Sequence, residues 1–254
     1  MDFTLKTYEQ LLRKIQHTNH KTCTVYEFMR DKAAADDKLI VLRHDVDRRP
    51  KNALKMAKLE ANLGIQSTYY FRHMRETFKP QIIREIASMG HEIGYHYETL
   101  AKARGNYEEA YQIFKQELEN FRTLYHVQTI CMHGRPLSRW DNRDLWKKFD
   151  YQSLGLIGEP YLSIDYANIV YLTDTGRSWD GGKYNLRDRV KQEKPQHVFK
   201  KTQDISNFLP NNSKTIILQT HPERWAYSPM SFLISFSADQ ATNMVKRVLF
   251  HIRS

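Results

Sequence analysis

Short runs of β-forming residues alternate along this chain with segments of helical periodicity, and several of those runs end in a histidine or an aspartate. Leu39-Ile40-Val41-Leu42 is a continuous apolar run of the buried-strand kind. It passes directly into Arg43-His44-Asp45-Val46-Asp47. Pro50 then opens a helical stretch that spaces Ala53, Leu54, Ala57, Leu59 and Leu63 and closes at Gly64. Further strands are predicted over Ser67 to Phe71, His91 to His96, Thr129 to His133 and Thr215 to Thr220. Helices are predicted over Lys79 to Met89, Tyr107 to Leu124, Trp140 to Phe149 and Asp239 to Ile252. Strand-like pieces lie at Tyr151 to Leu156 and Ile169 to Leu172, and Gly181-Gly182 marks a loop. This order predicts an α/β fold with a mostly parallel sheet, closed or open.

A chain of 254 residues suits one such domain with a short extension better than two domains. The expected division is an N-terminal helical extension over 1–38 and a main domain over 39–254. The extension carries an amphipathic helix at Tyr8 to His17 and a polar connector over Ala33 to Lys38. Lysine and arginine number 39 against 29 acidic residues, for a formal net charge of +10. The excess is spread along the chain, so it reads first as a solvated basic surface. An anionic small molecule, such as a nucleotide-linked or phosphorylated sugar, is the next partner it fits. Nucleic acid is not expected, because no nucleic-acid-binding module is recognisable. Cys23 and Cys131 form no Cys-x-x-Cys pair, so no thiolate zinc motif follows. Met1 to Lys14 does not read as a signal peptide, and no apolar run is long enough to span a bilayer. A cytoplasmic location is therefore expected.

The titratable groups gather at predicted strand ends. Asp45 and Asp47 follow the first strong strand, and His96, His133 and His221 end later ones. In a parallel barrel such ends share one rim, the rim that carries the active site. Two carboxylates and three imidazoles there could bind a divalent metal and leave an acid and a base free. Taken singly, each has an ordinary alternative. Asp47 could cap the helix that starts near Pro50. His96 could be a hydrogen-bonded core histidine, and His133 or His221 a turn residue. His91 is assigned to backbone bonding near the Gly90 turn. The common placement of the group is what favours a site.

From residue 39 to 225, in order, these motifs resemble those of the polysaccharide deacetylase superfamily, which includes chitooligosaccharide and peptidoglycan N-deacetylases. His44-Asp45-Val46-Asp47 is similar to its first motif and Gly90-His91-Glu92-Ile93-Gly94-Tyr95-His96 to its second. His133-Gly134-Arg135-Pro136 stands in the place of the third, Asp174 to Trp179 is a loose version of the fourth, and Leu218 to His221 resembles the fifth. Two departures stand out. Val46 separates the aspartates, which the family pattern places side by side, and Leu100 occupies the position of the second metal histidine. The aspartate–Val–aspartate form resembles a divergent branch associated with bacterial surface-polysaccharide assembly.

The resemblance implies a distorted (β/α)7-type barrel and a metal-dependent hydrolase that removes an acyl group, such as acetyl, from an N-acylated sugar. Asp47 and His96 would hold the metal, with His133 as the third ligand or, alternatively, Glu98. Zn²⁺ is the expected ion, with Co²⁺, Ni²⁺ or Mn²⁺ also fitting. Asp45 would act as base and His221 as acid, with Asp174 setting the tautomer of His221. Arg135 or Arg177 would orient Asp45 or bind a substrate anion. Tyr97, Trp140, Trp179 and Trp225, near the motifs, are candidates to stack on a sugar ring, with ordinary packing as the alternative for each. The partner so implied is an N-acylated sugar or sugar-containing biosynthetic intermediate. Two other readings stay open: a metal-independent hydrolase of cyclic amides such as allantoin, from the same superfamily, and a carbohydrate-binding protein without activity.

Overall fold

Strand by strand, the alternation builds one parallel sheet. The computed structural model describes residues 1–31, 38–135, 138–179, 190 and 198–253. Its strands are β1 (Lys21–Cys23), β2 (Leu39–Val46), β3 (Thr68–Phe71), β4 (Glu92–Tyr97), β5 (Ile130–Met132), β6 (Val170–Thr173) and β7 (Ile216–Thr220). The helices are α1 (Leu5–Gln16), α2 (Val25–Arg30), α3 (Pro50–Asn62), α4 (Pro80–Ser88), α5 (Thr99–Lys102), α6 (Tyr107–Arg122), α7 (Pro160–Ser163), α8 (Thr202–Phe208) and α9 (Pro229–Arg253). The sheet order is β5-β4-β3-β2-β7-β6, and every pairing is parallel. All carboxyl ends therefore lie along one edge.

The sheet curls. Arg43 on β2 reaches Cys131 on β5, with Nη2 at 2.7 Å from Sγ, although β3 and β4 lie between them in the sheet. Tyr161, on α7 after β5, brings its hydroxyl to 3.4 Å from that of Tyr171 on β6. The two edges thus approach through side chains, with no strand pairing between β5 and β6 among the described residues. This is the expected parallel α/β barrel in a partly open form.

Period two sorts the side chains. On β2, Arg43 and Asp45 face the interior of the curl, whereas His44 faces outward to Glu60 on α3. On β4, Gly94 and His96 face inward, whereas Tyr95 and Tyr97 pack on Phe114 of α6 at 5.2 and 5.6 Å between ring centroids. Gly94 is required here: a Cβ would fall 2.2 Å from the Tyr70 ring, which fills the interior.

Lys21–Cys23 adds β1 alongside Leu39–Val41, so the segment before residue 39 also supplies a strand. The N-terminal helix begins at Leu5, earlier than its periodicity suggests, because the Thr4 side chain caps it by accepting from Thr7 N–H. It joins the body through a buried network. Glu60 accepts from the Tyr8 hydroxyl, from Ser67 Oγ at 2.5 Å and from Tyr69 at 2.8 Å, and lies 2.8 Å from His44 Nε2. Burial alone would raise the Glu60 pKa, but His44 outweighs it and holds the carboxyl at about 2. The folded pKa is depressed, so this stabilisation is present above the unfolded carboxyl range and fades as pH falls toward 2. Glu60→Ala is expected to cost about 3–5 kcal/mol in denaturant unfolding, because it leaves buried partners uncompensated.

Three predicted elements differ. Residues predicted helical from Trp140 to Phe149 form a 3-10 turn over Asn142–Lys147, opened by the Asp141 cap. The strand-like piece at Tyr151 to Leu156 is a 3-10 turn over Gln152–Leu154, closed by Gly155 at φ +73. The last helix starts at Pro229, well before Asp239, because Ser228 accepts from Ser231 N–H and Pro229 fits a first helical turn. The predicted Gly181-Gly182 loop lies outside the described residues, as do Pro136 and nearly all of the 33–38 connector.

Candidate active site

The aspartate–Val–aspartate spacing places both carboxylates on the same side of the chain as it leaves β2. Asp45 is fully committed. Arg43 Nε donates to Oδ1 at 2.9 Å and Nη2 to Oδ2 at 2.7 Å, and Gln219 Nε2 donates to Oδ2 at 2.6 Å. Burial pushes the Asp45 pKa up, but the charges of Arg43 and then His96 bring it below the usual carboxylate range. Arg43 was not foreseen. Its signal was its position, two residues before Asp45 on one strand, hidden by the apolar run around it.

Asp47 is placed differently. Its Oδ1 lies 3.3 Å from His96 Nε2 and 3.5 Å from His133 Nε2, and it is buried without a hydrogen bond. Each imidazole is held from behind. His96 Nδ1 bonds the Cys131 carbonyl at 2.9 Å, and His133 Nδ1 lies 3.2 Å from Glu98 Oε2. Arg72 donates to the other oxygen of Glu98 at 2.8 and 3.1 Å. Burial would lower the His133 pKa, but Asp47 and Glu98 raise it to about 9. Two imidazole Nε2 atoms therefore face one carboxylate oxygen, and each ring is held at its far nitrogen, an arrangement that also orients metal-binding histidines. A carboxylate and two imidazoles are donors that a divalent cation takes, but the ligand atoms of Asp47, His96 and His133 do not form a group lying wholly within 4.8 Å. Glu98 lies against His133, and Leu100 is buried in the core.

A second grouping shares His96. Ligand atoms of Asp45, His96 and Cys131, all buried, lie within 4.8 Å of one another. Among the described residues, this is the group that has the dimensions of a metal site. Against it, the Arg43 guanidinium lies on both the Asp45 carboxylate and the Cys131 sulfur. A cation there would sit beside a buried positive charge.

His221 ends β7, with its Nδ1 at 2.6 Å from Asp174 Oδ1, and its backbone N–H donates to Oδ2 at 3.0 Å. Asp174 also accepts from Arg224 Nη1 at 2.7 Å and from Trp225 Nε1 at 2.9 Å. Burial opposes its ionisation, but Arg224 and His221 hold its pKa at about 2. Burial and Arg224 push the His221 pKa down, and Asp174 more than reverses them. Glu223, also unforeseen, is buried beside this pair with neither oxygen hydrogen-bonded; burial and the charge of Asp47 push it up to about 7.

Other predicted site residues are placed elsewhere. Arg135 is half-exposed and nearest Glu98, at 3.9 Å, so Arg43 has the place expected of it beside Asp45. Arg177 turns away to Asp239 Oδ2 at 2.8 Å and Ser235 Oγ at 2.7 Å. Trp179, Trp225 and Tyr97 are all buried. Trp179 stacks on Phe3 at 5.9 Å, Trp225 packs against Tyr8 at 5.1 Å, and Tyr97 packs against Trp146 at 5.5 Å. None of the three offers a face to a sugar in this structure, since packing from the N-terminal segment and α6 covers them.

No protein-family model matches the chain. No curated protein matches it by sequence. Solved structures do. A Mycobacterium smegmatis protein assigned to the polysaccharide deacetylases is 14% identical, with a TM-score of 0.47, over 84% of this chain and 89% of that one. A CE4 esterase of Streptococcus mutans is 14% identical, with a TM-score of 0.47, over 87% and 85%. The Streptococcus pyogenes deacetylase PplD, solved with acetate, is 11% identical, with a TM-score of 0.42, over 58% and 70%. These are likenesses in the course of the chain and assign no residue a role. The chemistry is argued from this chain's own side chains.

Proposed function

We propose that this protein is a metal-dependent hydrolase that removes an acyl group from an N-acylated sugar. The observation that carries the reading is the unbonded Asp47 oxygen facing two imidazole nitrogens, beside an ionised Asp45 and an Asp174-held His221. Asp47, His96 and His133 would hold the ion, Zn²⁺ first and Co²⁺, Ni²⁺ or Mn²⁺ as alternatives. When bound, it supplies Lewis acidity and brings the pKa of water toward ~7. Asp45 takes the proton from the attacking water, held in place by Arg43 and Gln219. Asp174 keeps the Nδ1 position of His221 occupied, which leaves Nε2 to deliver a proton to the departing amine nitrogen. Arg224 and Trp225 keep Asp174 ionised and fixed.

The reading extends to an intermediate of bacterial surface-polysaccharide biosynthesis on the cytoplasmic side. Its support is the resemblance of the aspartate–Val–aspartate motif. Among the described residues no helix is long and apolar enough to cross a membrane. The test is release of free amine from a panel of N-acetylated sugars by protein with its metal measured. Release that a chelator stops and added Zn²⁺ restores is the expected result. Hydrolysis that survives the chelator would instead favour a metal-independent amidase, and sugar binding without release a lectin-like role.

A further inference from the structure

The loops that carry Asp47 and His221 also form the walls of a groove of about 960 Å³. The starts of α3 and α4 line one side, and the start of α9 lines the other. Arg49 follows Asp47 almost directly, and Tyr227 follows the His221 turn. Asn52, a lining residue, donates to the Pro222 carbonyl at 3.3 Å, so the two walls meet next to the candidate active site.

Two properties set what the groove can hold. The first is charge. Arg49, Lys51, Lys79 and Arg84 line it against Glu76 as the single acid. Nearby Glu85 is engaged elsewhere, by Lys58 at 2.7 Å. Four cations around one cavity favour a multiply charged anion such as a phosphate or pyrophosphate. The second is an apolar stripe. Met230, Leu233 and Ile234, at helical spacing on the first turns of α9, are 67%, 60% and 52% exposed. Met230 and Ile234 line the groove, together with Ile82 and Tyr227. Leu233 carries the apolar surface on beyond it. A nucleotide has one planar base to bury and leaves such an aliphatic extension unused. A hydrocarbon chain uses all of it.

We infer that the groove binds a lipid phosphate, so that the sugar acted on is carried on a polyprenyl-type lipid through a pyrophosphate link. The phosphate meets the four cations and the hydrocarbon lies along the start of α9, with the sugar on the side of the Asp47 and His221 loops. This identity of the substrate rests on the acyl-sugar hydrolase reading, whereas the lipid-phosphate site itself does not.

The test is therefore direct binding, with no acyl sugar present. The probe is polyprenyl monophosphate in neutral detergent micelles, compared with polyprenol, with uridine diphosphate and with phosphatidylserine micelles. Polyprenyl phosphate is expected to bind, and polyprenol to bind at least about tenfold more weakly, a difference of about 1.4 kcal/mol. The double variant Lys51→Glu/Lys79→Glu and the double variant Met230→Ser/Ile234→Ser, all at exposed or rim positions, are each expected to weaken binding at least about tenfold. Equal binding of polyprenol, of uridine diphosphate or of phosphatidylserine overturns the inference, as does unchanged binding in either double variant. Lipid-phosphate binding without any amine release would remove the hydrolase reading alone. Amine release from free sugars without lipid-phosphate binding would remove the groove assignment alone.

Discussion

Asp45→Asn is expected to lower amine release by about 10²–10⁴-fold, the contribution typical of a positioned general base, while the protein keeps its metal. The separation follows from the geometry. Asp45 is engaged by Arg43 and Gln219, whereas the proposed metal ligands converge on Asp47. The substitution also strips the buried Arg43 of its counter-charge, so a stability loss of a few kcal/mol, about 3–5, should accompany it. Thermal unfolding and metal content measured on the same sample separate the effects. A folded variant that retains metal and full turnover removes Asp45 as the base.

The second large effect concerns the metal. His96→Ala and His133→Ala are expected to abolish stoichiometric metal binding, and Cys131→Ser to leave it intact. Glu98→Gln should weaken binding by about 10–100-fold, the usual effect of losing a partner that orients a metal histidine. Metal content by mass spectrometry after dialysis decides between the two groupings that share His96. Loss of metal in Cys131→Ser with retention in His133→Ala would assign the ion to Asp45, His96 and Cys131, whose ligand atoms lie within 4.8 Å of one another. The expectation favours Asp47 because its Oδ1 is buried and unbonded, while Arg43 already neutralises the Asp45 and Cys131 corner.

The rim residues were legible because strand periodicity is local. Asp45 and Asp47 share a face through a spacing of two, and His96, His133 and His221 each mark the end of a run of β-formers. His133 and Glu98 were the two candidates to stand in for the missing histidine at Leu100; the structure brings His133 Nε2 to 3.5 Å from Asp47 Oδ1 and its Nδ1 to 3.2 Å from Glu98. Arg43 obeys the same rule and could have been found by it, but a charge inside an apolar strand needs its partner to be seen. Glu223 carried no signal beyond lying next to the His221 turn.

The aromatic and arginine candidates fail for a different reason. Sequence proximity to a motif says nothing about which side of the sheet a ring will occupy. Phe3 and Tyr8, far away in the chain, cover Trp179 and Trp225. Arg177 finds Asp239 across a separation of 62 residues. Such partners depend on how the helices dock on the curled sheet, which no local pattern encodes.

By itself, then, the sequence determined the alternating α/β order, the parallel direction of the strands and the rim on which the acids and imidazoles stand, because periods of 2.0 and 3.6 act over a few residues. The tertiary structure alone decided that the sheet curls enough for Arg43 to cross to Cys131, and that Asp45 and Asp47 acquire separate surroundings. It also decided that a cation-lined groove opens beside them. Each of these depends on contacts between segments distant in the chain, formed where the fold brings buried charges and apolar surfaces together.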